Sequence, residues 1–207
     1  MKADKSTIQR LKQLPPLFRA QDAEKIAPHT GVFLYRAAQD GLILRLARGT
    51  YVNAFLYGMP SVEAVACFLR PPAYISCEWA LNYHGVLLQS PDVCSVVTLH
   101  TAVGQGRSIG YQGVTMEFSR IAPRLFHGYT TINGVSMATP EKALLDTAYL
   151  HQHIPAADEL EMEHIDMRQL ERLSDRYPAT LRLRIKGLFE FPVRQSVRRD
   201  TDNNSSP

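Results

Sequence analysis

Hydrophobic residues recur at helical spacing in the first forty residues and are interrupted by helix-breaking residues. Ile8, Leu11 and Leu14 are spaced as on one face of a helix, and two prolines follow them. The same reasoning predicts two more short helices, over residues 20–27 and 30–40, the last of which ends at a glycine. Three short helices are therefore predicted in quick succession.

The third predicted helix has one face that we expect to pack inward. Val32, Tyr35 and Ala38 recur at helical spacing, so this face is expected to contact the core. The side chains that this assignment leaves outside are Thr30, Phe33 and Arg36.

The hydrophobic period then changes from about 3.6 to 2, because leucines alternate with other residues over 42–47. Arg48-Gly49 predicts a tight turn, and residues 50–52 predict the returning strand. Three helices are thus followed directly by a small β-hairpin.

The rest of the chain mixes helix and strand signals. Capping residues and apolar spacing predict helices over residues 61–69, 76–85, 139–150 and after Asp166. Strands are predicted over 93–99 and 114–118, and Asn133-Gly134 predicts a hairpin turn. After Pro178, helix and strand patterns both fit, because leucines alternate with basic residues there.

These elements predict an α+β chain with an N-terminal winged helix-turn-helix and a mixed α/β C-terminal domain. Its 207 residues suit one small and one medium domain, over residues 1–56 and 57–195. We expect residues 196–207 to be a disordered tail, since they are almost entirely polar.

Charge is distributed unevenly along the chain. The net charge is +3, but residues 1–53 carry nine basic and four acidic residues. A third helix placed in the major groove, with Thr30, Phe33 and Arg36 exposed, would reach base edges, although packing explains Phe33 better than base stacking does. Arg45 and Arg48 on the hairpin would contact phosphates or the minor groove. Double-stranded DNA is therefore the predicted partner, although a winged helix used for protein contacts would show the same pattern.

A second basic cluster lies near the C-terminus and includes Arg182, Arg184 and Lys186. It is interpreted either as a second phosphate-binding surface or as a solvated helix face. Both interpretations fit the sequence equally well.

Three segments resemble the AbiEi antitoxins of bacterial AbiE type IV toxin–antitoxin systems. They are 41–52, 74–85 and 139–146, and the resemblance extends over residues 8–189. It implies a winged-helix repressor that binds inverted repeats in its own promoter. It also implies a C-terminal domain that antagonises a nucleotidyltransferase-like toxin without a stable complex. By position, Arg36, Arg45 and Arg48 inherit the DNA-contact role.

No catalytic or metal site is predicted. Ser76, Cys77, His84 and Asp146 could form a nucleophile set, but no nucleophile-elbow motif accompanies them, and Ser76 is explained as a helix cap. Asp92 and Glu117 could serve a nuclease, but the expected lysine is absent. His151 and His153 are two residues apart and do not share a helix face. We expect no cofactor.

The remaining composition predicts a cytoplasmic protein. No apolar stretch is long enough to cross a bilayer, and the first ten residues are polar where a signal peptide would be apolar. Three cysteines without a C-x-x-C pair predict buried, reduced thiols.

Three hypotheses for function remain at this point. The first is an autoregulatory antitoxin, and the second is a transcription factor whose α/β domain senses a ligand or mediates assembly. The third is a nuclease or similar enzyme targeted by the winged helix. A neighbouring nucleotidyltransferase reading frame would favour the first, and metal-dependent DNA cleavage would favour the third.

Overall fold

The computed structural model describes residues 5–101, 107–150 and 154–196. The N-terminal unit contains three helices and three strands in the order helix, strand, helix, helix, strand, strand. These are α1 (Lys5–Leu11), β1 (Leu17–Arg19), α2 (Ala20–Glu24), α3 (Thr30–Gln39), β2 (Leu44–Ala47) and β3 (Thr50–Val52). The three predicted helices and the hairpin are confirmed, with α2 ending three residues before its predicted end.

The strand β1 was not predicted, and it completes a three-stranded antiparallel sheet in the order β1-β3-β2. Leu17 lies opposite Val52, and Phe18 lies opposite Tyr51 with their rings stacked at 5.5 Å. The hairpin is therefore anchored to the segment between α1 and α2, which gives it a fixed place in the unit.

The inward face of α3 was predicted wrongly. Phe33, Leu34 and Ala37 are buried, whereas Val32 and Tyr35 are 51% and 67% exposed. Both sets have helical spacing, and the run of apolar and aromatic residues from 32 to 35 fits either face. Val32 and Tyr35 therefore face solvent and not the core.

The remaining elements build a larger unit around a six-stranded mixed sheet in the order β6-β7-β5-β4-β9-β8. Its helices are α4 (Ala54–Tyr57), α5 (Val62–Leu69), α6 (Cys77–Tyr83), α7 (Pro140–Tyr149), α8 (Met167–Ser174) and α9 (Ala179–Ser196). Its strands are β4 (Ala73–Ile75), β5 (Val93–Thr98), β6 (Ser108–Tyr111), β7 (Val114–Arg120), β8 (Tyr129–Ile132) and β9 (Val135–Ala138). Short 3-10 helices cover Pro123–Leu125, Ala157–Glu159 and Met162–His164.

Most predictions for this unit are confirmed. The Asn133-Gly134 turn has positive φ at both residues, as its hairpin type requires. Thr139 caps α7 by accepting a hydrogen bond from the Lys142 backbone N–H, and Asp166 caps α8. The segment after Pro178 is the helix α9, so its strand interpretation is wrong. The strands β4 and β6 were not predicted.

Most of the buried hydrophobic side chains among the described residues fall into two groups. A smaller core lies within the N-terminal unit and runs from Leu11 to Ile43, while a larger core extends from Val52 to Ile185. Within the described ranges, no helix is both long and apolar enough to cross a bilayer. The segment 197–207, which holds nearly all of the predicted tail, lies outside the described residues.

Candidate nucleic-acid interface

The exposed side of α3 carries a continuous stripe of side chains. Val32, Tyr35, Arg36 and Gln39 are all exposed and follow one another at helical spacing. We call these four residues the α3 stripe. An exposed aromatic ring next to an arginine can contact a partner by both stacking and charge. Arg36, predicted from the sequence, belongs to this stripe.

Two other residues predicted on α3 do not belong to the stripe. Phe33 is only 7% exposed and packs in the N-terminal core, so its prediction as a groove contact is wrong. The Thr30 hydroxyl donates to the Ala27 carbonyl at 2.8 Å, which ties the first turn of α3 to the preceding loop. Thr30 is partly exposed at the start of the helix.

The hairpin presents the other two predicted cations. Arg45 lies on β2 and Arg48 in the turn to β3, and both side chains are exposed. The Arg45 Nε donates weakly to the Ala47 carbonyl at 3.4 Å, beside an irregularity in the β2-β3 pairing. Neither side chain forms an ion pair within the described chain, so both remain available to an external anion.

Another cation of the N-terminal unit has an internal role. The Arg19 guanidinium donates to the Phe68 carbonyl at 3.0 Å and lies 5.1 Å from the centroid of the Phe68 ring. The Arg19 backbone N–H donates to the Asp22 carboxylate at 2.8 Å. Arg19 therefore links the N-terminal unit to α5.

The three basic residues predicted to form a second surface lie on different sides of α9. Arg182 and Lys186 line one cavity between α8 and α9, together with Arg168. Arg184 lines a different cavity and donates to the Ala148 carbonyl at 3.4 Å, because residues two apart on a helix point in different directions. The three side chains therefore do not share one surface. Arg182 also pairs with Asp175 at 3.2 Å.

A buried polar cluster in the larger unit is centred on Asp146 of α7. Asp146 accepts hydrogen bonds from Tyr74 at 2.9 Å, from Ser76 at 2.8 Å and from Tyr177 at 2.8 Å. Its carboxylate also forms an ion pair with Lys142, one turn earlier on the same helix. The Lys142 and Asp146 side chains are fully buried, and Lys142 also donates to the Tyr177 hydroxyl at 2.6 Å. The cluster joins β4, α7 and the segment before α9.

Burial dominates the electrostatics of this cluster. It raises the pKa of the Tyr74 and Tyr177 hydroxyls, and the charge of Asp146 raises the pKa of both further. Burial lowers the pKa of Lys142, while the Asp146 charge opposes that change. The cluster thus holds one buried ion pair in which every polar group has a partner.

The structure brings together part of the candidate nucleophile set. Ser76 donates to Asp146, so it does not cap α6 with its side chain as predicted. Burial raises the pKa of the Cys77 thiol, and Asp146 raises it further, which keeps the thiol protonated. His84 instead contacts the Ala138 carbonyl at 2.8 Å. Since the Ser76, Cys77 and Asp146 side chains are all buried, a substrate would have to open the core to reach them.

The candidate metal ligands do not gather into a site within the described residues. Glu117 forms an ion pair with Arg107 at 2.8 Å. Among the residues that the structure describes, no three His, Cys, Asp or Glu side chains come together as metal ligands would. His151 and His153 lie outside the described residues. The three cysteines are buried and unpaired, as predicted.

Part of the buried cluster could have been predicted from the sequence, but was not. The signal is the spacing of Lys142 and Asp146. The helix over 140–149 was predicted to be buried, and the two residues are four apart within it. Such a pair shares one face, and a buried charge requires a partner. The contribution of Tyr74 and Tyr177 could not be predicted, because it depends on how β4 and the segment before α9 pack.

We expect Gly128→Ala to destabilise the protein by about 2–3 kcal/mol. Gly128 has a φ of +74°, and a Cβ there would lie 3.2 Å from three side-chain carbons of Lys142. The matched control is Gly134→Ala, since Gly134 has a φ of +79° with open space around it. The control should show only the backbone cost, about 1–2 kcal/mol, in urea unfolding. Equal losses for the two variants would contradict a close fit of Lys142 against Gly128.

Among the described residues, the exposed arginines on α3 and the hairpin are thus separate from the buried cluster in the larger core. The arginines can reach an external ligand, while the cluster is enclosed and its groups pair with one another. No family model matches the chain, and no curated protein matches it.

Proposed function

We propose that the N-terminal unit is a winged helix-turn-helix that binds double-stranded DNA. In this proposal α2 and α3 form the helix-turn-helix, α3 enters the major groove, and the β2-β3 hairpin is the wing. The order of helices and strands, and the pairing of β1 with β3, fit this assignment. The chain would then act as a transcriptional regulator.

The α3 stripe is the observation that carries the proposal. The stripe places two exposed side chains with apolar surface, Val32 and Tyr35, beside an exposed arginine on one helix face, which is the mixture of groups that a DNA groove can contact. In a major groove, Arg36 can donate to guanine or phosphate, and Val32 can contact a thymine methyl group. Arg45 and Arg48 add phosphate contacts that position the helix.

The resemblance to the AbiEi antitoxins adds a second part to the proposal. The chain would repress its own promoter through inverted repeats, and its larger unit would antagonise a nucleotidyltransferase-like toxin without a stable complex. Co-expression with an adjacent nucleotidyltransferase reading frame tests this part. Rescue of growth supports it, whereas unrelieved toxicity contradicts it and leaves the DNA-binding part standing.

The DNA-binding part predicts a large effect of removing the exposed arginines. The triple variant Arg36→Ala, Arg45→Ala, Arg48→Ala should bind a duplex from the chain's upstream region more weakly. The slope of log K against log salt concentration should fall by about 0.9 for each phosphate that is no longer neutralised, so by up to about 2.7. Fluorescence anisotropy across a salt series measures both quantities.

The matched control removes three exposed arginines from the larger unit. It combines Arg120→Ala, Arg124→Ala and Arg172→Ala, which change the net charge by the same amount. This control should retain affinity and slope. If the two triple variants lose affinity equally, binding depends on net charge alone and the winged-helix assignment is wrong.

A further inference from the structure

A surface cavity of about 290 Å³ lies between α1 and α3, beside the α3 stripe. Its lining includes Arg10 on α1, His29 just before α3, and Val32, Phe33 and Arg36 on α3. Two arginines and a histidine thus surround it, and none of the described residues that line it is acidic. Small-ligand cavities begin at roughly 300 Å³, so this one is of a size for a single small group.

Arg10 is held at this cavity by the N-terminal core. Its guanidinium carbon lies 6.0 Å from the centroid of the Phe33 ring, within the range of a cation–π contact. Phe33 is buried, so the ring is itself fixed by its packing. This contact orients Arg10 towards α3 and reduces the freedom that a solvated arginine would lose on binding.

The positive charge of the cavity is not neutralised within the described part of the chain. Neither Arg10 nor Arg36 pairs with a carboxylate there. Asp22 accepts from the Arg19 backbone N–H and lies 3.8 Å from Lys25. Two guanidinium groups from separate helices, facing one space that no described acidic side chain lines, have the chemistry of an anion site.

We propose that this cavity binds one phosphate group of a duplex backbone, with Arg10 and Arg36 as its ligands. The inference rests on the proposed function and extends it to α1, which carried no predicted contact. Arg10 and Arg36 would hold the backbone while Val32, Tyr35 and Gln39 of the α3 stripe lie in the groove. Because phosphate contacts set the position of a protein on DNA, the site would fix the register of α3.

The test compares two variants that each remove one positive charge, one within α1 and one at the residue after it. Arg10→Gln keeps a stem over Phe33 but removes the charge, while Lys12→Gln removes a charge that is exposed and outside the cavity. Lys12 follows the last residue of α1 and does not line the cavity, so it is a matched control. Both full-length variants and the wild type are titrated with a 30-base-pair upstream duplex and a scrambled duplex between 50 and 200 mM salt. Thermal unfolding verifies that both are folded.

We expect the salt slope of Arg10→Gln to be lower by about 0.9, equally on both duplexes. Raising the salt from 50 to 200 mM would then reduce the affinity of Arg10→Gln by a factor about 3.5 times smaller than the factor for the wild type, while Lys12→Gln would match the wild type. If Arg10→Gln also matches the wild type, or if both variants lose slope equally, the phosphate site is overturned and the proposed function stands. A wild type that binds neither duplex at 50 mM salt overturns both.

Discussion

Replacement of Asp146 by asparagine is expected to lower the free energy of unfolding by about 3–5 kcal/mol. Removing one partner of a buried ion pair leaves the other charge uncompensated. Here that charge is Lys142, whose side chain is fully buried. The part of the loss that comes from the uncompensated charge has an upper limit of about 5 kcal/mol near pH 7, because Lys142 can release its proton at that cost. Urea unfolding followed by circular dichroism measures the loss.

The same variant should become more stable as the pH rises. Without the Asp146 charge, burial acts on Lys142 with its main opposing influence removed, and the pKa of Lys142 falls further. The folded state then binds fewer protons than the unfolded state, so stability increases with pH by up to about 1.4 kcal/mol per unit. The increase should end at roughly pH 10, where lysine in the unfolded chain titrates. The wild type should show a smaller slope.

The control is the double variant Lys142→Met, Asp146→Asn. It removes both charges but keeps an acceptor for Tyr74 and Ser76, so most of the lost stability should return. A double variant as unstable as Asp146→Asn, with the same pH slope, would contradict the role assigned to Lys142. The cluster would then act through its hydrogen bonds to the tyrosines alone.

The elements that the sequence predicted well are those with local signals. Thr139 followed by proline begins α7, and Asn133-Gly134 closes the hairpin between β8 and β9, since each depends on a few adjacent residues. The strands β1 and β4 have three residues each, too few for a period to be recognised. Each forms because distant strands pair with it, as Leu17 does with Val52. Such pairing is not visible in a local pattern.

The candidate site was predicted in outline but not in its orientation. Arg36, Arg45 and Arg48 are exposed as predicted, because arginines in short amphipathic elements are rarely buried without partners. Phe33 and Tyr35 were assigned to the wrong faces of α3. The rotation of that helix is set by contacts with the core, and these contacts also placed Arg10 beside α3.

The N-terminal unit should lose its fold, and with it duplex binding, when Phe18 is replaced by alanine. Phe18 is fully buried on the strand β1, and truncation of a buried phenylalanine costs about 3–5 kcal/mol. A unit of about fifty residues has roughly 2.5–7.5 kcal/mol of stability in total, so this loss is comparable with the whole. The larger unit has its own core, and its amides should remain protected from hydrogen exchange.

The control for this last variant is Phe55→Ala, because Phe55 is 54% exposed and its truncation should cost about 0.5 kcal/mol or less. Hydrogen exchange with mass spectrometry should show loss of protection in residues 11–43 of Phe18→Ala and retained protection in β5 and β7. Anisotropy should show that only Phe55→Ala still binds the duplex. Loss of protection in both units at once would mean that Val52 and the Arg19–Phe68 contact couple the two cores into one cooperative structure. In that case duplex binding and the six-stranded sheet would depend on the same free energy of unfolding, and the N-terminal unit could not fold alone.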